Sequence, residues 1–267
     1  MELKIGDLVT RNKYNNDIVF IITDIENETY YLKGQNNRLY ADSTKDDLKR
    51  YNGEVEDKEF IERLLPILEN RDEYFYIPGK ILHIDGDEDY LNRCLKYYED
   101  MSIKAIGVKE KEENIANRIK SLIELYKPNI IVITGHDAYY KKKGIKDDIN
   151  NYKNSKYFVE AIKEARNIIS SHDKLIIIAG ACQSDYEELI KAGANFASSP
   201  RRVNIHALDP AIIAASISLT EVSRDIDLKK ILEKTRYGAS GIGGIITKGC
   251  MYVGYPRIWI SKKLEKI

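Results

Sequence analysis

Five short apolar runs, each followed by a segment of polar and helical character, restrict what this chain can fold into more than any other feature. The runs are Ile81–Ile84, Ile103–Val108, Asn129–Thr134, Lys174–Ala179 and Asn195–Ser199. Between them Leu91, Cys94, Leu95 and Tyr98 recur at helical intervals. Ile115, Ile119, Leu122 and Ile123 do the same, as do Phe158, Ala161, Ile162, Ala165, Ile168 and Ile169. This β-α-β-α order predicts a parallel sheet with helices on both faces. Strands that are apolar throughout, rather than alternating, fit a sheet covered on both sides.

The first fifty residues follow another pattern. Leu3–Val9, Ile18–Ile25, Thr29–Leu32 and Arg38–Ala41 read as short strands separated by polar turns at Arg11–Asn16 and Gly34–Asn37. Four short strands in that length predict a small barrel or meander of SH3-like size. A helix is expected over Lys58–Asn70, broken at Pro66, and Ile77-Pro78-Gly79 punctuates the approach to the sheet. The expected organisation is a small β domain over residues 1–53, a helical linker over 54–79 and an α/β domain over 80–267.

Charge and cysteine usage exclude several functions. Lysine plus arginine number 42 and aspartate plus glutamate number 42, so no global field favours nucleic acid or a membrane surface. The apolar runs fall far short of the ~20 residues a membrane helix requires. The opening MELKIGDLVT lacks the basic and apolar regions of a secretory signal, which predicts a cytoplasmic protein. Cys94, Cys182 and Cys250 form no CxxC pair, so neither a disulfide scaffold nor a cysteine zinc site is expected. No metal and no cofactor are expected.

In an open parallel α/β sheet, function gathers at the carboxyl ends of the strands. Three such ends carry reactive groups: Asp85-Gly86-Asp87, Gly135-His136-Asp137 and Ala181-Cys182-Gln183. An isolated cysteine is most often a small core residue. Cys182, however, ends a strand and precedes Ser184-Asp185-Tyr186-Glu187, which reads as a capping box opening a helix with Tyr186, Leu189 and Ile190 inward. A helix N-terminus favours thiolate and lowers the thiol pKa, and its amides suit an oxyanion. His136 sits at the equivalent point of the preceding strand, which makes it the candidate general acid/base for a Cys182 nucleophile.

Two hydrophobic strands, one ending at a histidine and the next at a small-residue–cysteine pair, resemble the caspase-like cysteine peptidases. The matching stretches are IIVITGHDA (130–138) and LIIIAGACQS (175–184). GHDAYYKKKG, TRYGASGIGG and the long block GACQSDYEELIKAGANFASSPRRVNIHALDP resemble more closely the YabG family of sporulation-specific peptidases from spore-forming Firmicutes. The resemblance extends over nearly the whole chain, including the GDLVTR opening, and carries the catalytic roles onto His136 and Cys182. It implies a caspase-like fold and an endopeptidase that processes spore-coat and coat-morphogenetic proteins, cutting after arginine, in the mother cell and the spore coat. It implies no particular oligomeric state. Most caspase-like members have glycine directly after the histidine, where its N–H serves the oxyanion hole. Here that position is Asp137, with Cys182 as the other backbone donor.

Arginine specificity requires a carboxylate for the guanidinium. Arginine-specific caspase-like peptidases suggest the end of the first sheet strand, where Asp85 and Asp87 stand, and Asp209 is a weaker competitor. Asp-Gly-Asp is also a common polar turn. Asp209-Pro210 reads equally as a helix start. GASGIGG (238–244) lacks the lysine of a phosphate loop and is not assigned one. His172 and His206 lack the spaced partners of a metal site. Lys141–Lys143 reads as a solvated patch, and Arg201-Arg202 as a surface pair or a self-cleavage site. The competing reading is a receiver-like or flavodoxin-like regulatory domain carrying a small β interaction module.

Overall fold

In the computed structural model, described over residues 3–53, 73–140 and 148–257, the apolar runs form the centre of a six-stranded sheet. Its strands are β7 (Ile81–Asp85), β8 (Ala105–Lys109), β9 (Ile130–Thr134), β10 (Ile176–Ala179), β11 (Phe196–Ser198) and β12 (Ile242–Gly244), in the spatial order β12-β11-β10-β9-β7-β8. All pairs are parallel except β11–β12. The order therefore reverses at β7 and β9, and such a switch point opens a crevice outside the strand ends.

Successive residues of each strand point to opposite faces, and both faces are covered. On one side Ile81, Ile130, Val132, Ile176 and Ile178 pack with helix α1 (Glu88–Asp100) and with α5 (Asp209–Ser218) and α6 (Leu228–Glu233). On the other, Leu82, Ile131, Ile133 and Ile177 meet α2 (Ile115–Tyr126), α3 (Ser155–Ile168) and α4 (Tyr186–Lys191). The fold is the α/β arrangement expected for a caspase-like domain. α5 is apolar all round and buried, hence its lack of a polar stripe to read in the sequence. A further antiparallel pair, β6 (Phe75–Ile77) with β13 (Tyr252–Gly254), adjoins this body. The expected helix over Lys58–Asn70 lies outside the described residues, as do Lys141–Lys143.

The amino-terminal region forms five antiparallel strands: β1 (Leu8–Arg11), β2 (Phe20–Glu26), β3 (Thr29–Gly34), β4 (Tyr40–Thr44) and β5 (Leu48–Arg50). Their order, β4-β3-β2-β1-β5, is a meander whose last strand returns to the first, after a short 3-10 turn at Lys45–Asp47. The sequence reading gave four strands and began the first at Leu3. β5 escapes it because LKR alternates over only three residues, with Leu48 alone turned inward. Arg38–Ala41 also resolves differently. The strand begins at Tyr40, and Arg38 lies in the β3–β4 loop, fully buried.

The hydrophobic cluster of this small β unit contains Val9, Phe20, Ile22, Leu32 and Leu39, but also Cys182 and Ile205 from the α/β body. The two units thus share a core at the carboxyl edge of the large sheet.

Candidate active site

The register of the sheet sets side by side the ends of the two strands that lead to Cys182 and His136. Ala179 of β10 is paired with Ile133 of β9, and Gly180 N donates to Ile133 O at 3.0 Å. Cys182 lies three residues beyond Ala179 and His136 three beyond Ile133. Gly180 carries φ +101°, a left-handed conformation that turns the chain out of β10 without a side-chain penalty. Gly135 admits the Glu112 carboxylate where a Cβ would stand, and His136 N donates to Glu112 Oε1 at 2.8 Å.

His136 is held on one side and left open on the other. Its Nε2 meets Asp87 Oδ2 at 3.1 Å, while its buried Nδ1 has no hydrogen-bond partner among the described residues. The ring lies 4.2 Å from that of Tyr40 and 5.6 Å from that of Tyr90. Asp87 caps α1, accepting from the amides of Asp89 and Tyr90. It also pairs with Lys33 at 2.8 Å and accepts from the Tyr40 hydroxyl at 3.1 Å. Burial alone would raise its pKa. The His136 and Lys33 contacts outweigh that and hold the carboxyl well below its usual range.

Asp85, two residues away, faces the interior and is fully buried. Its Oδ2 takes the Arg38 guanidinium at 2.5 Å and the Thr134 hydroxyl at 2.8 Å, and its Oδ1 accepts from Asp87 N. Here too burial opposes ionisation, and the Arg38 charge reverses the balance, so the group stays ionised. Thr134 is backed in turn by His83, which bonds Thr134 Oγ1 at 3.1 Å and Tyr98 at 3.0 Å. Burial keeps that imidazole's pKa down, so it serves as a neutral relay between the two hydroxyls.

Cys182 is fully buried, and its thiol donates to Ile205 O at 3.7 Å. The expected lowering of its pKa is not found: burial pushes the thiol up to about 12. Two physical reasons account for this. α4 begins only at Tyr186, is six residues long, and is capped by Asp185, which accepts from Glu188 N. The small β unit also covers the sulfur with apolar side chains. Ser184, expected to open the cap, instead accepts from Ala181 N and donates to Asp137 at 2.9 Å. Tyr90 is a common neighbour of the pair. Its ring lies tilted 5.6 Å from that of His136, and burial raises the pKa of its hydroxyl.

The family model described as YabG peptidase U57 matches residues 4–64 and 56–256. The sporulation-specific protease YabG of Bacillus subtilis (strain 168) is 41% identical over 286 aligned positions, covering 96% of this chain and 99% of that protein. The chain belongs to the YabG peptidase family. It is a sporulation peptidase acting on protein substrates, and the regulatory-domain alternative falls away.

In this YabG family member the remaining sequence candidates divide. The Asp137 carboxyl is turned inward, where it accepts from Ala138 N, Asn154 N, Ser155 and Ser184. It thereby ties the loop after β9 to the loop after β10. Asp209 accepts the amides of His206 and Arg236, which occupies it without a guanidinium. The helix start at Asp209-Pro210 is present, with Leu208 rather than Asp209 at the cap. The glycine-rich GASGIGG forms a short turn and the antiparallel edge strand β12. Arg38, Lys33, Tyr40 and Tyr90 contact Asp85, Asp87 or His136 but carry no signal that singles them out in the sequence. Arg38 and Lys33 flank a polar turn and carry no local signal of burial. Among the described residues no cluster of metal-ligating side chains is present, and no helix is long and apolar enough to cross a membrane.

Proposed function

We propose that this chain is a cysteine endopeptidase that cleaves spore-coat and coat-morphogenetic proteins after arginine, with Cys182 as nucleophile and His136 as general acid/base. The observation that carries this reading is the state of His136. Asp87 fixes one ring nitrogen, and the other stands buried without a hydrogen-bond partner among the described residues, in the loop that follows the strand paired with the one leading to Cys182.

In the proposed reaction the Cys182 sulfur attacks the carbonyl carbon of the scissile bond as its thiol proton passes to the imidazole. The oxyanion is received by backbone N–H groups, for which Cys182 and Asp137 are the candidates. The imidazolium returns the proton to the leaving amine, giving a thioester, and water activated by the same ring then releases the new carboxylate. Asp87 acts as a positioning residue that selects the tautomer with Nε2 protonated and stabilises the imidazolium. The arginine of the substrate is assigned to Asp85, a buried carboxylate already suited to a guanidinium. Domain limits of 1–53, 54–79 and 80–267 and a mother-cell and spore-coat location complete the proposal.

The test is cleavage of an arginine-containing coat substrate by Cys182→Ala and His136→Ala proteins. Both are expected to be inactive, with the histidine variant losing ~10²–10⁴ in rate. Undiminished cleavage by either refutes the dyad.

A further inference from the structure

The loop joining β3 to β4 lies across the carboxyl edge of the large sheet as a bound peptide would. Asn37 forms an isolated antiparallel bridge with His206, and Ala207 N donates to Asn36 O at 2.9 Å. Tyr90 donates to the carbonyls of Gly34 and Asn37, and Arg93 to that of Gln35. Main-chain pairing of this kind is how extended peptides are commonly captured at a strand edge.

The next residue, Arg38, turns its side chain inward. Its guanidinium meets Asp85 at 2.5 Å, bonds Ala207 O at 3.0 and 3.3 Å, and lies 5.1 Å from the centre of the Tyr90 ring. Nothing of it is exposed. Leu39, which follows it, shares the hydrophobic cluster of Cys182. Tyr40 then covers the His136 ring and Lys33 pairs with Asp87. An ion pair sealed from water contributes little net stability compared with apolar packing of the same volume. Stability alone therefore gives little reason for an arginine here, whereas recognition gives a clear one.

We infer that the small β unit is a tethered inhibitor: Arg38 occupies the pocket that takes the substrate's arginine, and residues 36–38 occupy the edge formed by Ile205–Ala207 where the substrate backbone pairs. This deepens the proposed arginine specificity and rests on it. The enzyme is latent while the loop is seated, and substrate gains access only from the fraction of molecules in which it has lifted. An occluded site lowers apparent activity by that fraction.

The experiment uses the full chain and a fluorogenic peptide with arginine before the scissile bond, comparing wild type, Arg38→Ala, Tyr40→Ala, Asp85→Asn and Arg38→Ala/Asp85→Asn. Arg38→Ala is expected to raise the rate about tenfold or more, which requires only that fewer than about one molecule in ten be open at rest. Tyr40→Ala, at a half-exposed position, gives a smaller rise and decides the matter if Arg38→Ala proves misfolded by its circular dichroism melt. Asp85→Asn lowers the rate in both backgrounds. No rise in either loop variant, with Asp85→Asn still impaired, overturns the inhibition and leaves the arginine pocket standing. A rise that persists undiminished in the double variant overturns the pocket, and the arginine mimicry with it.

Discussion

The interior of the large sheet and its carboxyl edge are built on opposite terms. Inside, Ile131, Val132, Ile133, Ile176, Ile177 and Ile178 are surrounded by apolar helices and exclude water completely. At the edge, a few residues away, Arg38, Asp85, His83 and Thr134 are equally dry but polar or charged. Burying apolar surface stabilises by about 25 cal/mol per Å² without demands on direction. Burying an ion pair returns its desolvation cost only when every partner is in place. The interior therefore accounts for the fold, while the edge holds charges that stay favourable only with every partner in place.

The sharpest contrast comes from Cys182→Ala, whose expected loss of catalytic rate is on the order of 10⁴-fold or more with the thermal melt nearly unchanged. Loss of both activity and fold would instead make Cys182 an ordinary member of the shared core. Next in size is the removal of a single charge at the edge. Asp85→Ala leaves the Arg38 guanidinium buried and unpaired and should cost about 3–5 kcal/mol. Replacing both partners with apolar residues, as in Arg38→Met/Asp85→Leu, should recover most of that in urea denaturation. Failure of the double variant to recover would show that the edge depends on its charges for folding as well.

Phe158→Ala probes the interior. It should cost a similar ~3–5 kcal/mol through the cavity it leaves, while the activity of the folded fraction stays at the wild-type level. The smallest expected effect is that of acid. Asp85 and Asp87 are both held below their unfolded values, so the stability they contribute is present above about pH 3.9 and is lost as pH falls further toward their folded values. Peptic cleavage at Leu39 and Tyr40 in and beside the β3–β4 loop should therefore rise below pH 4, before the sheet itself melts. A loop that loosens first on the alkaline side would contradict the assignment of these charges.

The contrast also explains what could be read without coordinates. Strands β7 to β11 are legible within one or two residues because burial on both faces leaves an unbroken apolar run. α1, α2 and α3 are legible because each keeps one wet face. His136 and Cys182 stand out because a strand end is a definite topological place. Arg38 was unreadable: it follows the polar stretch Gly34–Asn37, which any reading takes as a solvated turn, and only docking onto the α/β body buries it. The raised Cys182 pKa was hidden for the same reason. Its immediate neighbours suggest a helix N-terminus, while the covering Leu39 and Phe20 come from 140 or more residues earlier in the chain.

The central claim, that Cys182 is the nucleophile of an arginine-directed site, is tested most directly by mass spectrometry after reaction with an arginine chloromethyl ketone peptide. Wild type and the Arg38→Ala protein are labelled side by side. The account predicts a single adduct, on Cys182, forming faster in Arg38→Ala and suppressed by Asp85→Asn. An adduct on Cys94 or Cys250, or complete inhibition with no cysteine modified, would contradict it.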